Sequence, residues 1–78
     1  MTVSAIETIY RRQYQRFLAV AVGIVRDRDL AHDAVQETFA RAIRGRDEIR
    51  SEAALPTWLW RVLTNICFAA RDGAWSAI

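Results

Sequence analysis

The sequence predicts an all-α fold, a small three-helix bundle, and three observations carry that expectation. Apolar residues recur at helical spacing in three separate stretches. Only three Gly and one Pro interrupt the 78 residues, which leaves little chain for turns and long loops. The length admits one small domain and excludes barrels, doubly wound sheets and two-domain enzymes. Aliphatic, aromatic and Cys residues make up 53% of the chain, which is more than a disordered tail carries.

The first helix is expected from about Ala5 to Val25. Ser4 and Glu7 have the S-x-x-E spacing of a capping box, in which two side chains satisfy free backbone donors. Ile6, Tyr10, Phe17, Ala21 and Ile24 form its apolar stripe, widened by Ile9, Leu18 and Val25. Arg11, Arg12 and Arg16 fall towards the opposite side. Arg26-Asp27-Arg28-Asp29 then reads as a tight polar turn, with Asp29 capping a second helix from Leu30 to Arg44. Ala31, Val35, Thr38, Phe39 and Ala42 make the inward face of that helix, helped by Leu30, Ala34 and Ile43. Gly45 stops it as a C′ residue, after Arg41 and Arg44, whose charges suit a helix C-terminus.

Residues Arg46 to Leu55 read as a polar loop with a short helical turn around Ile49. Pro56 fits the first position of a third helix running to about Ala70. Its stripe is Leu59, Val62, Leu63, Ile66 and Ala70, with Trp58, Trp60 and Phe68 partly off it. Asp72-Gly73 ends the helix, so residues 1–72 are expected to form the helical domain and residues 73–78 an atypical tail.

Composition excludes several function classes. One Cys rules out an internal disulfide, and one Cys with one His rules out a conventional zinc site from this chain alone. No cofactor is expected. The longest apolar run, Phe17 to Val25, is about half a membrane span and lacks the flanks of a signal peptide, so no membrane role and a cytoplasmic location are expected. All eleven basic residues are Arg, whose planar donor fork suits phosphate or carboxylate. The net charge of +2 predicts no strong nucleic-acid field, and a GC-rich genome also accounts for Arg-only usage. Residues 1–28 carry five Arg and two acids, net +3; residues 29–50 are net −1 and residues 51–78 are neutral. The third helix is therefore aromatic but scarcely basic.

Two constellations stand out. Asp33, Gln36, Glu37, Ala40 and Arg44 fall on one side of the second helix, away from Val35, Phe39 and Ala42. Such a stripe is either a solvated face complementing the helix dipole or a docking face for a partner helix carrying Arg. Trp58 and Trp60 with Arg61 and Asn65 form the second group. Both Trp residues have a core reading, since aromatic residues dominate core burial. Exposed, they would stack unpaired bases beside Arg and Asn. Tyr10 fits core packing, His32 a surface position and Cys67 a small buried hydrophobe. No residue pair resembles a nucleophile with its base and no two carboxylates share an apolar pocket, so no catalytic residues and no enzyme are expected.

The run Asp29-Leu30-Ala31-His32-Asp33-Ala34-Val35-Gln36-Glu37-Thr38-Phe39-Ala40-Arg41-Ala42 resembles region 2.2 of sigma-70-type bacterial transcription initiation factors, most closely the extracytoplasmic-function group. Trp58-Leu59-Trp60-Arg61-Val62-Leu63-Thr64-Asn65 is similar to that group's next element, W-L-Y-R-I-A-R-N. Tyr10-Arg11-Arg12 and Phe17-Leu18 match region 2.1 in placement, and the likeness covers roughly residues 5–68.

The resemblance implies that the second helix docks on the clamp coiled coil of the largest catalytic subunit of core RNA polymerase. Asp33, Gln36 and Glu37 would be its contacts, with Arg41 and Arg44 flanking. It also implies contact with promoter DNA of the minus-ten region. Arg46 and Arg50 would lie in the loop that takes up an unstacked base, with Trp60, Arg61 and Asn65 on the following helix. An anti-sigma factor is a further partner class. Three departures remove positive charge or a usual polar group: Thr64 stands where Arg is usual, Ala69 where Asp is common, and Asp72-Gly73 replaces a basic pair. Weakened minus-ten recognition is therefore expected, and no region 4 follows within these residues. The competing expectation is a non-transcriptional helical interaction module or self-associating remnant, using Trp58, Trp60 and Trp75 as an apolar patch.

Overall fold

The computed structural model describes residues 1–73. They form α1 (Val3–Val25), α2 (Arg28–Arg44) and α3 (Leu55–Arg71), with a 3-10 turn at Arg46–Glu48 between the last two. No strand occurs among the described residues. Each helix packs against both others, as the three apolar stripes require. The tail expected over residues 73–78, with Trp75, lies outside the described residues except for Gly73.

Phe17 of α1 joins the layers. Its ring centroid lies 5.4 Å from Phe39 on α2 and 4.3 Å from Trp60 on α3. Around it the core is built from Ile6 and Ala21, then Val35 and Ala42, then Leu59, Leu63 and Ile66. Ile49 and Leu55 are buried too, so the connection between α2 and α3 is pinned to the bundle. Thr38 is fully buried, but its hydroxyl donates to the Ala34 carbonyl at 2.8 Å and leaves no unmet donor. Cys67 is a free, buried thiol, and burial pushes it above its ordinary range, so it serves as a neutral apolar filler.

The helix starts correct the expected caps. Thr2, not Ser4, caps α1: its hydroxyl accepts from the Ala5 amide at 3.1 Å. Ser4 lies inside the helix, where its carbonyl accepts from the Thr8 hydroxyl. Asp27, not Asp29, caps α2: its carboxylate accepts from the Leu30 amide at 2.9 Å. In both cases the earlier residue wins because extended backbone at the earlier position lets two more residues join the helix. Asp29 then falls in the first turn of α2, where its charge still suits the dipole. We expect Asp27→Ala to cost about 1 kcal/mol in a denaturant titration, with Asp29→Ala within about 0.5 kcal/mol of the parent.

The helix ends differ as well. The polar turn shrinks to Arg26 and Asp27, and Arg26 takes the left-handed conformation with φ 58°. Its amide donates to the Val22 carbonyl and closes α1. Gly45 ends α2 at φ −101°, so it is not the left-handed residue that the C′ reading implied. The chain instead tightens directly into the 3-10 turn.

Candidate functional site

Two surfaces collect the residues singled out in the sequence. The first is the outer face of α2. Its apolar side is used up by Ala31, Ala34, Val35, Thr38, Phe39 and Ala42, all buried, which turns Asp33, Gln36, Arg41 and Arg44 to solvent and leaves Glu37 half-buried. Glu37 organises this face. One carboxylate oxygen accepts from Arg41 Nε at 2.9 Å and from Arg44 at 3.0 Å. The hydrogen bond from Arg41 chiefly, with Arg44 adding to it, holds the Glu37 carboxyl below the ordinary value of 4.5. Gln36 Nε2 lies 3.4 Å from His32 Nε2 and donates when that nitrogen carries no proton. Asp33 is exposed and pairs with no cation among the described residues.

The sign of the Glu37 shift gives a pH prediction. A carboxyl lowered in the folded state contributes stability that is full above its unfolded value and is lost as pH falls through the folded value. Glu37→Gln should therefore flatten part of the stability loss below about pH 4.5. At neutral pH these exposed pairs are worth at most about 1 kcal/mol, and urea midpoints across an acid series would read both effects.

Beside this face runs an apolar groove of about 270 Å³ between α1 and α2, lined by Ile6, Tyr10, Gln36, Phe39 and Ala40 among others. Tyr10 stands in it with its ring 4.6 Å from Phe39 and 5.4 Å from Tyr14. Burial, and then Tyr14, push the Tyr10 phenol upward, so it is a neutral hydroxyl at the rim. The polar stripe and this groove together make a surface that an amphipathic helix would match.

The second surface lies between the α2–α3 connection and α3. An open hollow of about 390 Å³ is lined by Glu48, Ile49, Arg50, Thr57, Trp58 and Arg61. Arg50 and Arg61 are exposed and bring two cations to it, while Glu48 opposes them. Asn65 is exposed one turn beyond Arg61. The structure thus gathers Arg50 and Arg61 at one place and sets Asn65 alongside on the same helix.

Arg46 and Trp60 sit differently from the pattern expected. Arg46 is half-buried and donates to the Ile43 carbonyl at 2.6 Å, so its charge closes the end of α2. Trp60 is half-buried against Phe17, and the Arg16 guanidinium lies over its ring at 5.7 Å. Trp58 also packs on the core while lining the hollow, a double use that its off-stripe position hinted at. With both Trp residues held by their own bundle, the exposed apolar side chain of α3 is Phe68, at 43% exposure with Arg71 over its ring. Thr64 is neutral, and its hydroxyl folds back to donate to the Trp60 and Arg61 carbonyls.

Residues 9–76 match the family model described as Sigma-70 region 2. The chain is 36% identical over 64 residues to ECF RNA polymerase sigma factor SigG of Mycobacterium tuberculosis, covering 82% of this chain and 16% of that protein. It is 32% identical over 63 residues to ECF RNA polymerase sigma factor SigM of the same organism, covering 81% and 32%. It is 31% identical over 61 residues to RNA polymerase sigma-H factor of Pseudomonas aeruginosa, covering 78% and 32%. The chain therefore spans about a third or less of the length of these relatives. No solved structure matches it closely. Among the described residues, no helix is long and apolar enough to cross a membrane.

Proposed function

Because the chain belongs to the sigma-70 region 2 family, we propose that it acts in transcription initiation by docking α2 on the clamp coiled coil of core RNA polymerase. One observation carries the reading: Asp33, Gln36 and Glu37 share the outward side of α2, next to an apolar groove. A polar stripe fixes orientation and speeds encounter, and a groove lined by Tyr10, Phe39 and Ala40 accepts an apolar anchor from the partner helix. Arg41 and Arg44 hold the Glu37 carboxylate in place, and their exposed outer edges flank the contact. An anti-sigma factor, as a competing helical partner, would use the same face.

The second part of the proposal is a weak grip on minus-ten promoter DNA. The hollow bounded by Arg50, Trp58 and Arg61 is the place for a base that has left the stack, with Asn65 hydrogen-bonding nearby. Unstacking a base costs a few kcal/mol, which a few contacts must offset. Thr64 and Asp72 supply no positive charge to this side of α3, so the grip is expected to be marginal without polymerase.

Titrating the isotope-labelled chain with the clamp coiled coil tests the docking face residue by residue. Amide shifts clustered on residues 33–44 and Tyr10 are the expected result. Shifts clustered on α3 instead, with α2 silent, would overturn the assignment.

A further inference from the structure

We infer that Arg16 of α1 binds a backbone phosphate of the DNA strand laid along α3, supplying from a neighbouring helix the cation that α3 lacks at Thr64. The inference rests on the DNA-contacting part of the proposed function.

Three observations carry it. First, Arg16 is exposed and its guanidinium lies over the Trp60 ring at 5.7 Å, with no carboxylate partner among the described residues. An Arg resting on an indole is held in place by cation–π attraction, so less freedom is lost when its donors take a phosphate. Second, Trp60 and Thr64 are one turn apart on the same side of α3, joined by the Thr64 hydroxyl donating to the Trp60 carbonyl at 2.9 Å. Arg16 therefore packs over the side chain one turn before Thr64, the position where the family resemblance implies an Arg. Third, Trp60 is half-buried and already contacts Phe17 at 4.3 Å, which leaves the indole serving as a shelf for Arg16 better than as a stacking platform for a base. The basic excess of residues 1–28, net +3, then has a use next to the neutral third segment.

The test is the salt dependence of binding to a labelled single-stranded oligonucleotide carrying a minus-ten sequence, using the full 78-residue chain. Each phosphate contact on single strands contributes about 0.7 to the slope of log affinity against log salt. Arg16→Gln should lower the slope by about that amount, and Arg11→Gln, also exposed on α1, should leave it unchanged. Adding Thr64→Arg to Arg16→Gln should restore it, which a merely structural role for Arg16 would not predict. Circular dichroism of each variant checks that the bundle persists. An unchanged slope in Arg16→Gln, with wild-type binding intact, overturns the role of Arg16 alone. A lowered slope that Thr64→Arg fails to restore overturns the compensation. A folded wild-type chain with no salt-dependent DNA binding, both alone and with core RNA polymerase present, overturns the DNA reading and this inference with it.

Discussion

Glu37→Lys is expected to weaken binding to core RNA polymerase by at least ~30-fold while the helices stay intact. The substitution acts in three ways. It removes the carboxylate that a cationic partner would meet on α2. It puts a positive charge next to Arg41 and Arg44, which Glu37 now holds at 2.9 and 3.0 Å. It also presents that charge to the partner, where losing a charge pair that docking would bury, and gaining repulsion, would cost about 2–5 kcal/mol. The lower end of that range already corresponds to about 30-fold. The cost to the fold is far smaller, since exposed ion pairs are worth at most about 1 kcal/mol. Unaltered circular dichroism with lost polymerase retention is the expected pair of results. Equal loss of helicity and binding would point to a structural role for Glu37 instead.

Phe17→Ala should be the most damaging single truncation in the chain. Phe17 is 1% exposed and touches aromatic rings on both other helices. Removing a buried Phe ring costs about 3–5 kcal/mol through lost transfer energy and the cavity left behind. A chain of 78 residues has only about 4–12 kcal/mol of stability in total. At about 4–8 °C per kcal/mol for a domain of this size, the melting temperature should fall by at least about 12 °C. Phe68→Ala, at a ring 43% exposed, should change stability by no more than about 0.5 kcal/mol. If both variants melt together, the placement of Phe17 at the centre of the bundle is wrong.

Much of this architecture was legible before the structure, and the reasons differ by element. The inward face expected on α2 is the face that is buried, because Ala31, Val35, Thr38, Phe39 and Ala42 hold one helical period without interruption. The third helix was equally readable from Pro56 and the Leu59, Leu63 and Ile66 stripe. The first two helices start two residues before the expected positions and the third one residue before Pro56, since T-V-S and D-R-D both offer two capping side chains and composition does not say which backbone is extended. The stop at Arg26 carried no glycine signal at all, and a left-handed Arg is not a residue that turn statistics nominate.

Which side chains share the outer face was legible on α2, and the surroundings of the α3 residues much less so. Asp33, Gln36 and Glu37 sit on one helix, where spacing alone settles which side they share. The Glu37 knot was less visible, because the seven-residue reach from Arg44 needs side-chain conformations. Arg16 over Trp60 joins two helices, and no periodicity within either one foretells it. The turning of Arg46 to the Ile43 carbonyl is likewise a choice between helix end and phosphate that only the folded chain makes.

The most direct test of the central claim is a binding titration of the 78-residue chain against core RNA polymerase, with Glu37→Lys run alongside. Saturable binding by the wild type, lost in the variant, is the predicted result. A folded wild-type chain that does not bind, or a variant that binds equally well, would contradict the assignment of α2 as the polymerase-docking face.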